Sequence, residues 1–300
     1  MLRCARLLAL VVMGLGLLGC GSDEPAPDPR PTLSTATSAS AESSTADPGS
    51  IEGSFDAGGH ELFISCHGTG APTVVYLHGA ITQPGMDPQV TGAGFGDLLT
   101  NDYRVCLYDR RNVGRSEVVD AVQKPADALR DLDHLLNAAG VEPPYVLVGS
   151  SFGGLLAYLY ANEHPDKVVG MVLLAAMFPD ELSLEHLFAP QDRLRAVMDD
   201  QEANSLERLS QYRSLAAAQR YIGHEPAIPV IYLEPKDQGY NDNPYGSPAY
   251  RRQIGDVLAA YVDRFSPGVL TEVPAPHLVE AAIPDKVADA VRRVIAETAD

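Results

Sequence analysis

The chain has 300 residues, 45% of them apolar, enough to bury one large core or two small ones. At pH 7 its formal charge is −18, with 40 acidic residues against 22 basic ones. No basic cluster offsets that sign, so nucleic acid is not an expected partner, and the acidic surface favours solubility.

The opening "MLRCARLLALVVMGLGLLGC" does not read as part of a fold. Arg3 and Arg6 precede an apolar run from Leu7 to Leu18. The run is too short to span a bilayer and suits the core of a signal peptide. It ends in Leu17-Leu18-Gly19-Cys20, which resembles the lipobox of bacterial lipoproteins. That resemblance implies residues 1–19 as a signal peptide, cleavage before Cys20 and a lipid on the Cys20 thiol. The protein is then exported and anchored at the cell membrane or cell envelope. Residues 20–50 are mostly Pro, Ser, Thr and Ala and read as a disordered tether. Such a coil reaches roughly 30 Å. The folded domain is expected over residues 51–300.

Within it, "HELFISC" alternates like a strand. "PTVVYLHG" and "YRVCLYD" are short apolar runs ending at His78-Gly79 and Asp109. "ADALRDLDHLLNAAG" carries Leu129, Leu132, Leu135 and Leu136 at helical spacing, with Gly140 as a stop. "PYVLVG" is a buried strand, "GGLLAYLYANEHP" a helix halted by Pro165, and "VVGMVLLAA" another buried strand. Residues 178–226 break this alternation. Their "LSLEHLFAP", "RLRAVMDD" and "LERLSQYRSLAAAQRYI" look like short amphipathic helices. "PVIYLEPKD" is a further strand and "DKVADAVRRVIAE" the final helix. Continuous apolar strands separated by helices indicate a parallel sheet covered on both faces.

The stretch "LVGSSFGG" is therefore a strand–turn–helix junction. At a sharp elbow, glycines two before and two after the exposed residue relieve crowding. Ser151 has Gly149 and Gly153 at those places, whereas Ser150 would have Val148 and Phe152. The frame selects Ser151.

These segments, with His78-Gly79-Ala80, Asp109-Arg110 followed by Gly114 and Ser116, "PPYVLVGSSFGG", "HPDKVVGMVLL" and "PAPHLVEAAIPDKVADAVRRVI", resemble the α/β-hydrolase superfamily on its esterase–lipase branch. The likeness covers nearly all of residues 60–296. Ser150 departs from the His many relatives carry there, and Asn112 from a frequent Gly. The resemblance implies a mostly parallel eight-stranded sheet with helices on both faces and a small helical cap at about 178–226. It implies a serine hydrolase, a carboxylic ester hydrolase working through an acyl-enzyme on a small-molecule substrate, with no cofactor. An amidase or peptidase, a lyase on the same triad, and a non-catalytic ligand-binding lipoprotein are the rivals.

The family's chain order is Ser, acid, His. Of eight histidines, His277 lies between "EVPAP" and the final helix, where the superfamily carries its base. Asp237, just past "PVIYLEP", is the expected acid, with Glu234, Asp180 and Asp242 as alternatives. The oxyanion donors are expected at the backbone N–H groups of Phe152 and Ala80, with His78 orienting the Ala80 loop. In this superfamily the second strand lies antiparallel beside the fourth, so Cys66 and Cys106 are expected to face each other and to oxidise after export. "DQGYNDN" lacks EF-hand spacing, and no metal is expected. Oligomeric state has no signature in the sequence.

Overall fold

The computed structural model describes residues 49–188, 191–236 and 248–298, the side chains at 185–188, 191–195, 197–198 and 248–251 excepted. The expected signal segment, nearly all of the tether, Cys20, Asp237 and Asp242 lie outside the described residues.

The described strands are β1 (Ile51–Asp56), β2 (Glu61–His67), β3 (Thr73–Leu77), β4 (Val105–Tyr108), β5 (Tyr145–Ser150), β6 (Val168–Leu174), β7 (Val230–Pro235) and β8 (Gly268–Val273). They form one eight-stranded sheet in the order β1-β2-β4-β3-β5-β6-β7-β8. The β1–β2 and β2–β4 pairs are antiparallel and every other pair is parallel. This is the α/β-hydrolase architecture the sequence led us to expect.

Strand alternation sends side chains to two cores. Tyr145 and Leu147 of β5 enter one, Val146 and Val148 the other. The first core packs under α2 (Pro125–Ala138), α3 (Phe152–Glu163), α6 (Gln211–Ala218) and α7 (Pro248–Val262). The second packs under α1 (Val90–Asp97) and α9 (Pro284–Glu297), with the short α8 (Val279–Ala282) beside them. Each Val or Leu so buried contributes roughly 1.5–3 kcal/mol. Helix α2 begins where Pro125 fits the first turn and Lys124 N–H donates to Asp127 Oδ2 at 2.8 Å. It stops before Gly140, whose φ is +65°.

Between β6 and β7 the chain inserts α4 (Glu181–Phe188), α5 (Gln191–Asn204), α6 and a 3₁₀ turn over Gln219–Tyr221. Here the structure corrects one expectation. "LERLSQYRSLAAAQRYI" is not helical from its start. Arg208 takes φ +47°, which no helix admits, and Ser210 then caps α6 by accepting Arg213 N–H at 3.2 Å. β7 runs to Pro235, where a proline at the last position loses little. Lys236 N–H then continues the ladder to Val273 O at 2.9 Å.

Cys66 and Cys106 are register partners across β2 and β4, both fully buried, with their sulfurs 2.10 Å apart, at disulfide distance. No helix among the described residues is long and apolar enough to cross a membrane.

Candidate active site

Parallel strands end along one edge, and in open α/β sheets ligands bind outside that carboxyl edge. β5 ends there at Ser150. Ser151 follows with φ +49° and ψ −120°, and α3 starts at Phe152. A positive φ on a residue other than Gly costs of order 1–3 kcal/mol unless the surroundings impose it. They do. Ser151 N–H donates to Leu174 O at 2.9 Å, and Ser151 O accepts from Gly154 and Met177 N–H at 3.0 Å each. The turn closes only because its neighbours lack side chains. A Cβ on Gly149 would stand 2.5 Å from Gly154 Cα, and one on Gly153 would stand 2.1 Å from Leu77 O.

Ser151 is half-buried, while Ser150 is fully buried. By strand alternation Ser150 faces the α1 side with Val146 and Val148, within hydrogen-bonding reach of Tyr76 and Glu280. Near it, Tyr76 OH donates to Glu280 Oε1 at 2.9 Å. Burial raises the Glu280 carboxyl above its usual range. Of the two serines, Ser151 is the one that keeps exposure at the carboxyl edge.

His277 sits in the loop between β8 and α8, half-buried, its Nδ1 without a partner among the described residues. Burial lowers its pKa from the ordinary 6.5. The imidazole is therefore neutral at pH 7, the state a base requires. In the sheet, β7 lies between β6 and β8, so its carboxyl end falls between those of β6 and β8. Asp237, two residues past the end of β7 in the sequence, falls outside the described residues. Of the alternative acids, Glu234 is held inside β7 opposite Glu272. Asp180 is ion-paired with Arg264, which also holds Glu225 at 3.2 Å.

The loop after β3 lies against the elbow, since a Cβ on Gly79 would be 3.4 Å from Ser151 Cβ. His78 is buried, and desolvation, then the Arg110 charge, press its pKa down to about 3. Its ring is accordingly neutral and bridges two backbone groups. Nδ1 lies 2.7 Å from Gly79 O as donor, and Nε2 accepts Arg110 N–H at 3.3 Å. A trans peptide is planar, with N–H and C=O pointing opposite ways. Neither Gly79–Ala80 nor Ser151–Phe152 is cis. Holding Gly79 O therefore turns Ala80 N–H the other way, and holding Ser151 O does the same for Phe152 N–H. Neither N–H finds a backbone acceptor among the described residues.

A cavity of about 240 Å³ opens beside these two residues, lined also by Ile81, Leu206, Leu209 and Gln211. No group of three or more metal-ligating side chains is gathered among the described residues. Asn112, the departure noted above, has φ +70°, a conformation Asn tolerates better than most residues, which explains why it can stand for Gly. Two buried carboxylates near the elbow were not foreseen. Glu280 had no signal beyond its place in "HLVEAA". Glu207 lay in a segment whose pattern suggested an ordinary amphipathic helix.

Residues 72–246 match the family model described as alpha/beta hydrolase fold. A proline iminopeptidase of Xylella fastidiosa (strain 9a5c) is 29% identical over 218 residues, 64% of this chain and 66% of that protein. An uncharacterized protein of Bacillus subtilis (strain 168) is 26% identical over 132 residues, 43% of this chain and 51% of that one. The chain thus spans about half to just under two thirds of these relatives' lengths. A thermophilic esterase from Thermogutta terrifontis superposes with a TM-score of 0.58 at 17% identity, over 83% of this chain and 98% of that one. At that identity the likeness is one of fold.

Proposed function

The chain belongs to the alpha/beta hydrolase fold family, and on that premise we propose that it is a serine hydrolase acting on small-molecule carboxylic esters. The observation that carries the reading is the Ser151 elbow, a positive φ held by three backbone hydrogen bonds and two sterically obligatory glycines. In the proposed reaction His277 takes the Ser151 proton as Oγ attacks the acyl carbonyl. The Ala80 and Phe152 N–H groups receive the oxyanion, each worth roughly 2.7–4 kcal/mol in the transition state by analogy with other oxyanion holes. His277 returns the proton to the leaving alcohol. Water, activated by the same imidazole, then hydrolyses the acyl-enzyme. Asp237 is assigned to His277 Nδ1, where it fixes the tautomer and stabilises the imidazolium. The cavity beside Ala80 and Phe152 has room for a small alkyl or aryl group, its wall mixing Ile81, Leu206 and Leu209 with the polar Asn204 and Gln211. The reaction is proposed to occur outside the cytoplasmic membrane, with the enzyme held by a lipid on Cys20.

A peptidase is the second reading, favoured by the likeness to a proline iminopeptidase. A fluorophosphonate probe and a substrate panel test both. The probe labels Ser151 of the folded protein, and a folded protein that resists it is not a serine hydrolase. Among p-nitrophenyl esters of graded chain length and prolyl p-nitroanilide, faster turnover of an ester supports the first reading. Faster turnover of the anilide replaces it with the second.

A further inference from the structure

The oxyanion loop is not held by its own strand alone. Arg110, just past β4, is 3% exposed and donates from Nη1 to His78 O at 2.6 Å and from Nη2 to Gly79 O at 2.8 Å. Its guanidinium also lies over the Phe152 ring, 5.6 Å from the centroid. What steadies this arginine comes from the insertion. Glu207, equally buried, accepts Arg110 Nε at 2.5 Å and Nη2 at 2.9 Å, a two-pronged pair. Glu207 Oε1 accepts Ile81 N–H at 2.9 Å as well. Burial alone would raise the Glu207 carboxyl, but the Arg110 charge and hydrogen bonds outweigh it and hold it below its usual range. The pair is therefore ionised.

Ala80 lies between the two groups so held. The carbonyl of the peptide before it is tied to Arg110, and the N–H of the peptide after it is tied to Glu207. Both peptide planes of Ala80 are fixed from one side, which leaves its own N–H facing the other. Glu207 is itself pinned to the core. Its carbonyl accepts Gln123 Nε2 at 2.5 Å, and Gln123 N–H donates to Arg208 O at 2.8 Å. The φ of +47° at Arg208 follows directly.

We propose that Glu207 is a positioning residue that, through Arg110 and Ile81, makes the insertion set the direction of the Ala80 N–H toward the reacting oxyanion. This rests on the serine-hydrolase reading. Its consequence for the substrate is that the one carboxylate in the cavity wall is already neutralised, so the wall takes an uncharged group.

The test uses p-nitrophenyl butyrate as substrate and a straight-chain trifluoromethyl ketone as transition-state mimic. Loss of one oxyanion donor costs 10²–10³ in kcat, so misdirecting one costs part of that, roughly 10- to 100-fold. Glu207→Gln lowers kcat by that factor with KM nearly unchanged, and ketone affinity falls in step. A merely structural brace would lower Tm and leave both constants alone. Single substitutions here strand a buried charge and can prevent folding. The double variant Glu207→Leu with Arg110→Met removes both charges, a change often neutral or stabilising for a buried pair. A folded double variant with reduced kcat and weakened ketone binding supports the proposal. A folded double variant with wild-type kcat and ketone affinity overturns it while the hydrolase reading stands. Wild-type protein inert to both the ester and a fluorophosphonate overturns the hydrolase reading and the positioning role together.

Discussion

Two adjacent serines differ in everything that matters for attack. Ser150 is sealed beneath the sheet beside Tyr76 and Glu280, whereas Ser151 is lifted to the open edge by an imposed positive φ. Ser151→Ala is expected to cut kcat by on the order of 10⁶, if the loss in subtilisin is a guide. Ser150→Ala should keep most activity, and the opposite ranking would show the register of the elbow to be misassigned. His277 carries a pH prediction. Its pKa is lowered by burial, and in the proposed reaction it must be neutral to accept the Ser151 proton. Burial thus moves the acidic limb of kcat/KM in the free enzyme below pH 6.5, and a limb well above 6.5 would show that the Asp237 carboxylate, which favours the imidazolium, outweighs burial. Asp237→Asn should lower kcat by up to about 10⁴ in a protein that still folds, because an amide favours the wrong tautomer. Glu234→Gln should cost far less. A folded Asp237→Asn protein with full activity would remove Asp237 from the proposed triad.

At the level of elements, the elbow works because β5, α3 and β3 approach more closely than side chains permit. The Leu77 carbonyl of β3 occupies the place a Cβ on Gly153 would need. Gly153→Ala must push α3 off the sheet, so little folded protein, or a large drop in Tm, is the expected outcome. Gly255, exposed in α7 with nothing within 4 Å of its missing Cβ, provides the contrast. Gly255→Ala should stabilise by roughly 0.5–1 kcal/mol, because it removes backbone freedom from the unfolded chain without a clash. Thermal melts of the two variants compare directly, and similar behaviour would mean that the close approach at the elbow is not what Gly153 serves.

For the whole molecule, the pairing of Cys66 with Cys106 and the proposed export belong together, since disulfides persist in oxidising compartments. The sequence separation is 40 residues, and the chain-entropy model gives about 4 kcal/mol for closing a loop of that size. Mature protein alkylated without reduction should show both cysteines unmodified by mass spectrometry, and two alkylated thiols would end the disulfide. Export by way of a lipid predicts that globomycin causes the precursor to accumulate and that Cys20→Ser abolishes labelling by a palmitate analogue. Wild-type protein that takes up no label has no such anchor.

Much of this organisation follows from the sequence by itself. Alternation gave β2, apolar runs gave β3 to β7, leucine spacing gave α2, and the glycine frame distinguished Ser151 from Ser150. Those features are local. Torsional limits and the choice of buried face are written within a few consecutive residues. Helix α1 escaped because "VTGAGFGD" has the composition of a turn, and it is helical only where Gly92 lets it lie on Tyr76, with 2.5 Å between a would-be Cβ and the ring. Only the tertiary structure decided how the Ala80 peptide is turned. Its direction depends on Arg110 and on Glu207, 97 residues further along the chain. No periodicity links two such residues, because their meeting is set by the order of strands in the sheet and by the path of the insertion over its edge.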